Sequence, residues 1–151
     1  MNHWYIRVKD GKNFKNSSSF NIYGLKSWYT LTKNFMKLSQ EGDILWFVTN
    51  IKLDNLVIAC ANFERTKKRE LGPLINLDMS DEDLGWQKNN NDVWDTELHY
   101  KNLYNIENIS FKLKGLPARS TIGKINNNEI EEKLNNEYRN IIKYSKIKFS
   151  F

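Results

Sequence analysis

Side chains that commonly perform catalysis are sparse in this chain of 151 residues, which contains one cysteine and two histidines. A zinc site needs three or four Cys, His or carboxylate ligands at suitable spacing, and Cys60, His3 and His99 do not supply such a set. Glu97 and His99 lie two positions apart on one predicted strand and could share a face as an acid–base pair, although a solvated strand face is the more ordinary interpretation. We therefore expect no metal, no cofactor and no enzymatic activity.

The acidic run at residues 78–83 is the other segment that could hold a cation. Its spacing does not fit a calcium-binding EF-hand loop. Ser80 and Asp83 fit a capping box better, because each side chain can accept a hydrogen bond from the backbone N–H of the other. We therefore predict a helical turn that begins near Ser80.

Tryptophan placement is the stronger functional signal, since the chain has five tryptophans. Trp28, Trp86 and Trp94 each neighbour a predicted turn or polar loop, where a core residue is not needed. One such residue is more often core than ligand platform, but three of them in a basic protein fit a stacking surface as well as they fit a core. Stacking a base on an aromatic ring is worth ~1–3 kcal/mol. Two rings around one base could offset the few kcal/mol that unstacking it costs.

The composition sets the class of protein and of partner. A length of 151 residues fits a single domain, and we assign residues 1–151 to it. The net charge of +5 favours an anionic partner, RNA or DNA in particular. We make no prediction of the oligomeric state.

Cysteine use and hydropathy set the expected compartment. A lone cysteine, Cys60, excludes a disulfide framework within the chain and is typical of a reducing compartment. No apolar run approaches the ~18 residues of a membrane span, and the N-terminus lacks a signal-peptide core. We expect an intracellular protein, cytoplasmic or nuclear, that is not secreted and binds no membrane. The abundance of Asn, Lys and Ile is typical of an AT-rich genome, such as a viral one.

Hydrophobic periodicity predicts an α+β domain around a curved or barrel-like sheet. The polar segment at residues 12–19 is predicted to be a loop, and the basic residues 65–69 are predicted to end a hairpin. The predicted strands are residues 3–8, 44–49, 56–63, 94–104 and 109–113. One predicted helix spans residues 29–38 and has an apolar face of Leu31, Phe35 and Leu38. The other spans residues 128–144 and has Ile130, Leu134, Tyr138 and Ile141 on one face.

The order of these motifs resembles the YTH/EVE group of the PUA-like superfamily. The resemblance spans nearly the whole chain, although each motif is short. The matching motifs are Trp4-Tyr5-Ile6, Ser27-Trp28-Tyr29-Thr30 with Asn34 and Leu38, Gly42-Asp43 before the strand at 44–50, the strand at 56–62, Gly85-Trp86, residues 94–100, and the loop at 116–120 with Arg119. Gly24 departs from the pattern, since it lies four residues before Trp28 rather than two.

The resemblance implies a PUA-like fold and a non-catalytic reader of a modified, methylated base, with RNA favoured and N6-methyladenosine as the mark that the YTH group suggests. Trp28 and Trp86 would be the two walls of an aromatic cage, with Trp94 as a third face. The other implied contacts to the base come from Ser27, Tyr29, Asp10 and Asn50. Arg119 would bind a phosphate, assisted by Lys9 or Lys26.

Two alternatives from other classes stay open. One is a PUA-like enzyme of the ASCH type that acts on modified nucleosides, with Glu97, His99 or a lysine as general base. The other is a protein-interaction module whose exposed tryptophans bind a peptide. Salt dependence separates the second alternative from nucleic-acid binding, because phosphate contacts weaken steeply with salt.

Overall fold

All five residues of the segment Ile44–Val48 are buried, which marks this strand as central to the fold. A continuous apolar run is typical of a strand that is covered on both faces of its sheet. The computed structural model describes residues 1–69, 79–87, 93–106, 112–117 and 120–144. In it, helices pack on both faces of the sheet, and the predicted buried strand is confirmed.

The described strands form a curled, mixed sheet shaped as a half-barrel, so the predicted α+β class with a curved sheet is confirmed. In chain order the elements are β1 (His3–Arg7), α1 (Lys12–Ser17), β2 (Ile22–Leu25), α2 (Thr30–Leu38), β3 (Ile44–Val48), β4 (Val57–Lys68), β5 (Thr96–Asn105), β6 (Ile122–Lys124) and α3 (Asn128–Tyr144). The strand order is β2-β5-β4-β3-β1-β6, with β1 and β3 parallel and the other neighbours antiparallel. β2 and β6 are therefore the two edges.

Two hydrophobic cores lie on opposite faces of this sheet. Phe14 of α1 and Phe35 of α2 belong to the first core, whereas Leu134 of α3 belongs to the second. Successive side chains of a strand point to opposite faces. Trp4 of β1 accordingly joins the first core, and its neighbour Tyr5 joins the second.

The buried carboxylate of Asp43 fixes the start of β3 relative to β1. It accepts hydrogen bonds from the indole N–H of Trp4 (3.0 Å) and from the backbone N–H groups of Asn2 (3.1 Å) and Gln40 (3.0 Å). Charge-assisted hydrogen bonds are stronger than neutral ones, and a buried carboxylate needs several of them. The Gly42-Asp43 turn thus has a structural role.

The C-terminal helix agrees with its predicted bounds and its predicted apolar face. Leu134 and Ile141 are buried, and Ile130 and Tyr138 are partly buried against the same core. The side chain of Asn127 accepts hydrogen bonds from the backbone N–H groups at positions 129 (2.9 Å) and 130 (3.1 Å), which caps the first turn. The prediction for α3 is confirmed.

Helix α2 forms as predicted, but its predicted apolar face is wrong at both ends. Phe35 is buried, whereas Leu31 and Leu38 are exposed and Thr32 is buried in their place. A helix of nine residues that packs beside the short edge strand β6 has room for few buried positions.

The predicted loop at residues 12–19 is wrong, because this segment contains α1 and the first residues of the 3-10 helix Ser18–Phe20. Gly11 adopts the left-handed conformation (φ 89°) that starts α1, and the Asp10 carboxylate accepts the Lys12 N–H at 3.0 Å. Phe14 is fully buried against Phe47, with the ring centroids 4.4 Å apart. Tertiary packing of one phenylalanine therefore outweighs the low helix propensity of the Asn- and Ser-rich sequence around it.

The predicted hairpin of β3 and β4 is confirmed, but the basic residues 65–68 continue β4 rather than end it. β5 is confirmed with a shift of its bounds. The turn at Ser80 is confirmed by reciprocal hydrogen bonds of 3.0 Å with Asp83.

The sequence pattern predicts neither edge strand, because β2 and β6 are short and each contains a glycine. The predicted strand at 109–113 lies mostly outside the described residues.

None of the described helices combines the length and the apolar character that crossing a lipid bilayer requires.

A buried histidine links β1 to β3 and to α3. The indole N–H of Trp46 donates to Nδ1 of His3 at 2.9 Å, and Nε2 of His3 lies 2.6 Å from the side-chain oxygen of Asn135. An indole N–H can only donate, so Nδ1 is unprotonated and the imidazole is neutral. Burial lowers the pKa of His3 below its ordinary value of 6.5.

We expect acid to destabilise the fold through His3. The unfolded chain takes up a proton below pH 6.5 and the folded chain resists it, so this stability is present above pH 6.5 and declines below it. The free energy of unfolding, measured in urea, should fall by up to about 1.4 kcal/mol per pH unit there. His3→Gln should flatten the slope between about pH 5 and 6.5, before most carboxylates titrate. Equal slopes in the two proteins would contradict this assignment.

Candidate functional site

The main described pocket, of about 300 Å³, lies where the two edges of the curled sheet approach each other. Strand β2 supplies one side, and β1 with the residue before β6 supplies the other. The remaining wall comes from the beginning of α2, from the turn after β3 and from the residues before β5. The lining residues are Ile6, Arg7, Lys9, Tyr23, Gly24, Leu25, Lys26, Tyr29, Thr32, Asn50, Trp94 and Thr121.

Among the described strands β2 pairs only with β5, so its other side carries backbone N–H and C=O groups that no described strand uses. Gly24 and Leu25 of this strand line the pocket. An edge of this kind can donate to and accept from the polar rim of a flat ligand. The rings of Tyr23, Tyr29 and Trp94 provide apolar surface in the same lining.

The wall formed by Trp94 depends on the absence of a side chain at Gly24. A Cβ atom at Gly24 would lie 2.8 Å from Cγ of Trp94 and 3.0 Å from the ring of Trp86. The two indoles pack edge to face, with ring centroids 5.4 Å apart. Both tryptophans therefore rest directly on the backbone of β2.

A buried ion network lies on the other side of Trp86. The guanidinium of Arg69 lies 5.0 Å from the centroid of the Trp86 ring and pairs with Asp81 (2.9 Å) and Glu97 (3.3 Å). Nε2 of His99 lies 2.8 Å from the second oxygen of Glu97. Glu97 and His99 do share a strand face, but the expected solvated face is wrong, because Glu97 is buried within this network.

The loop that leads into α2 is held by Asp95. Its carboxylate accepts the backbone N–H of Ser27 at 2.8 Å and also the Ser27 hydroxyl. The carbonyl of Asp95 accepts the N–H of Arg69 at 2.7 Å, so the loop is connected to the ion network. This arrangement fixes the position of Tyr29 two residues later.

Among the described residues, the lining of the main pocket carries three cationic residues, Arg7, Lys9 and Lys26, and no carboxylate. The guanidinium of Arg7 is held by neutral oxygens, namely the carbonyls of Pro117 (2.8 Å) and Ser120 (2.5 Å) and the side chain of Asn55 (3.1 Å). Its charge is not cancelled by those contacts. The pocket therefore has an electropositive lining that favours an anionic ligand.

The pocket unites five of the predicted site residues from distant parts of the chain: Lys9, Lys26, Tyr29, Asn50 and Trp94. Lys26 lies 5.6 Å from the centroid of the Tyr29 ring. The Asn50 side chain also accepts the Leu53 N–H at 3.2 Å, which gives it a structural role in the turn. Asp10 lines a second, adjoining pocket.

Trp28 and Trp86 are placed differently from the two opposing walls that the resemblance implies. Trp86 is only 6% exposed, between Trp94 and Arg69, and offers little free ring surface. Trp28 is 48% exposed, and its ring centroid lies 5.9 Å from that of Tyr29, next to the pocket lining rather than in it. Arg119 lies outside the described residues.

Sequence reasoning missed the other seven lining residues, among them Arg7, Tyr23 and Thr121. Gly24, next to Tyr23, carries a usable signal, since a glycine within a strand often marks a site where a ligand or another part of the chain approaches the backbone closely. Arg7 and Thr121 carry no such signal, because their position depends on the pairing of β1 with β6.

Metal ligands and nucleophiles are the next side chains to consider in the described part of the chain. No group of three His, Cys, Asp or Glu residues there is arranged to hold a metal ion. Burial raises the pKa of the Cys60 thiol to about 12, so Cys60 stays protonated at neutral pH.

The chain matches no protein-family model and no curated protein sequence.

We expect Gly24→Ala to disturb the Trp94 wall. The added methyl would overlap Trp94 atoms close to that residue's own backbone, which cannot swing away as the end of a flexible side chain could. Overpacking of this kind costs about 1–3 kcal/mol. Urea unfolding monitored by tryptophan fluorescence should show that loss, and an unchanged midpoint and spectrum would show that the two indoles do not rest on Gly24.

Proposed function

We propose that this protein is a non-catalytic nucleic-acid-binding module that captures one methylated nucleobase of an RNA strand in the pocket between β1 and β2. The observation that carries the proposal is the combination of aromatic rings with three cationic residues, and no carboxylate, in the described part of one pocket lining. A volume of about 300 Å³ is at the lower end of the ~300–1,000 Å³ of small-molecule sites. That size favours a single base over a larger ligand.

Stacking supplies the first part of the proposed binding energy. Tyr29 presents a half-exposed ring in the lining, the 9% exposed Trp94 contributes a small part of its ring, and the half-exposed Trp28 lies beside Tyr29. A base that leaves its own stack loses a few kcal/mol, and each stacking contact with a protein ring returns ~1–3 kcal/mol. In this proposal Tyr29 and Trp94 contact the captured base, and Trp28 stacks on a base outside the pocket.

Preference for a methylated base is proposed to come from the apolar part of the lining. Ile6, Leu25 and Trp94 provide carbon surface that can cover a methyl group. Burying one methyl is worth about 0.8 kcal/mol, which corresponds to roughly a fourfold preference. Discrimination beyond that value would require a polar group or water that is unfavourably placed when the methyl is missing.

Phosphate binding is proposed for Lys9 and Lys26, with Arg7 adding positive charge from its fixed position. Lys9 and Lys26 line the pocket from opposite sides, after β1 and after β2. A strand whose base enters between them would carry its phosphates past both ammonium groups. Such contacts make affinity fall with salt concentration.

The enzyme alternative has less support, because Glu97 and His99 lie in the ion network with Arg69 and do not line the pocket. The peptide-binding alternative rests on exposed Trp28 alone and does not explain the three cations.

The test is binding of matched short RNA oligonucleotides, with N6-methyladenosine or adenosine at the centre, measured by fluorescence anisotropy. We expect the methylated RNA to bind at least about fourfold more tightly. Tyr29→Ala should weaken binding roughly tenfold through lost stacking. Phe20→Ala removes a similarly exposed aromatic ring outside the pocket lining and should leave affinity unchanged.

Oligonucleotides with other methylated bases, and their DNA counterparts, belong in the same series. The proposal fails if no methylated oligonucleotide binds better than its unmethylated match, or if Tyr29→Ala binds as tightly as the wild type. An affinity that does not change with salt concentration would instead favour the peptide-binding alternative.

A further inference from the structure

A histidine, His99, stands at one end of the buried ion network behind Trp86. Its Nε2 lies 2.8 Å from one oxygen of Glu97, and the other oxygen of Glu97 pairs with Arg69 at 3.3 Å. An ionised carboxylate can only accept a hydrogen bond, so Nε2 of His99 carries the hydrogen in both charge states of the imidazole. A second proton therefore enters at Nδ1 and leaves the contact with Glu97 in place. The His99 side chain keeps 14% of its surface exposed, which gives solvent protons access to it.

The described groups of this network carry an excess of negative charge while His99 is neutral. The carboxylates of Glu97 and Asp81 supply two negative charges, and the guanidinium of Arg69 supplies one positive charge. A protonated His99 makes the charges of the network equal. Because opposite charges attract more strongly in a buried site than in water, the network favours the charged form of this imidazole.

Two basic residues of β4 face the same side of the sheet. Arg65 lies opposite His99 in the pairing of β4 with β5, and Lys67 lies opposite Glu97, and both side chains are exposed. Arg65 pairs with Glu64 at 2.6 Å, which offsets its repulsion of an imidazolium. Exposed charges are also screened by salt much more than buried ones. The buried carboxylate of Glu97 therefore has the larger effect on His99.

The other described elements beside the network bring no further positive charge to it. β2 pairs with β5 on the opposite side from β4, and its residues Ile22–Leu25 are uncharged. In the segment at residues 79–86, Asp81 belongs to the network, Asp83 accepts a backbone N–H of its own turn at 3.0 Å, and Glu82 is exposed. The carboxylate of Asp95 binds the loop before α2.

Direct contacts connect the network to the main pocket by two routes. The guanidinium of Arg69 lies 5.0 Å from the centroid of the Trp86 ring, which packs 5.4 Å from the centroid of the Trp94 ring. The backbone N–H of Arg69 also donates to the carbonyl of Asp95 at 2.7 Å, and the Asp95 carboxylate accepts the N–H of Ser27 at 2.8 Å. A change of charge in the network therefore acts on the Trp94 wall and on the loop before α2.

We propose that His99 is a positioning residue for the main pocket, and that its protonation tightens the Trp94 wall and raises the affinity for RNA. With a neutral imidazole, the two carboxylates of the network repel each other without full compensation, and their hold on Arg69 is weaker. With an imidazolium, the network holds Arg69 and thus Trp86 more firmly. The inference rests on the proposed function, because its readout is the binding of RNA, and it adds regulation by pH to that function.

The test is the affinity for the methylated RNA at pH 5.5 and at pH 7.5, between which an unperturbed histidine changes its charge. We expect the wild type to bind about fivefold more tightly at pH 5.5, at the lower end of the usual coupling between two sites. His99→Gln keeps a donor for Glu97 but takes up no proton, so its affinity should be the same at both pH values.

His3→Gln is the matched control, because His3 and His99 are the two histidines of the chain. His3 lies beside α3, where its Nε2 contacts Asn135. This variant should flatten the pH dependence of unfolding but keep the fivefold ratio of affinities. Since acid destabilises the fold through His3, that effect cannot imitate a gain in affinity at pH 5.5.

A pH titration of the ¹⁵N-labelled wild type without RNA needs no variant. The ring nitrogens of His99 and the indole N–H of Trp94 should change their NMR signals with the same midpoint. A Trp94 signal that stays constant while His99 titrates overturns the inference. Equal affinities of the wild type at both pH values overturn it too, and so does a ratio that survives in His99→Gln. If the methylated base is then still preferred and Tyr29→Ala still weakens binding, the proposed function stands alone. If no RNA binds at either pH, both proposals are wrong.

Discussion

The close approach of two indoles to the backbone of β2 at Gly24 is the constraint on which the candidate site depends. Trp94 and Trp86 occupy the space where any other residue would place a Cβ atom. Trp94 can line both pockets only because it lies against this edge strand. Gly24 has a low strand propensity, but its lack of a side chain lets Trp94 form the wall of the pocket.

The acidic and the basic side chains near the main pocket have different positions and different roles. The carboxylates of Glu97 and Asp81 bind Arg69 behind Trp86, and that of Asp95 binds the backbone at Ser27. None of these three residues lines the main pocket, whose described charged lining residues are all cationic. These acidic side chains thus stabilise the walls from outside the pocket.

The ion network also connects the wall to the neighbouring strands. Arg69 has no exposed side-chain surface, and its two ion pairs and the contact with Trp86 join β4, β5 and the segment at residues 79–86. Removing one partner of a buried pair leaves an uncompensated charge, which is strongly unfavourable. Because the Asp95 carbonyl accepts the Arg69 N–H, the loop that precedes Tyr29 depends on the same residues.

Sequence reasoning predicted the elements whose pattern is local and strong. The continuous run at 44–48 and the periodic face of α3 are both long enough to specify type and place. It failed for β2 and β6, whose few residues acquire strand geometry only by pairing with β5 and β1. It failed for α1 because burial of Phe14 is a tertiary effect.

The same division applies to the candidate site. Tyr29, Trp94, Lys9 and Lys26 were identifiable as an aromatic and basic set, and the structure brings them to one pocket. The sequence could not predict whether Trp86 or Trp94 forms a wall of the pocket, because that depends on how the chain packs over Gly24. The exposure of a residue is set by its neighbours in the folded chain. Trp86 and Trp94 stand in similarly polar sequence, yet only Trp94 lines the pocket.

The most direct test of the central claim is to locate the bound base by NMR. Amide and indole N–H signals of the ¹⁵N-labelled protein would be followed during titration with the methylated RNA, and with its unmethylated match as control. We expect the largest shifts at Gly24, Tyr29 and the Trp94 indole, which line the main pocket. Shifts confined to α3 and the face of the sheet that it covers would contradict this expectation.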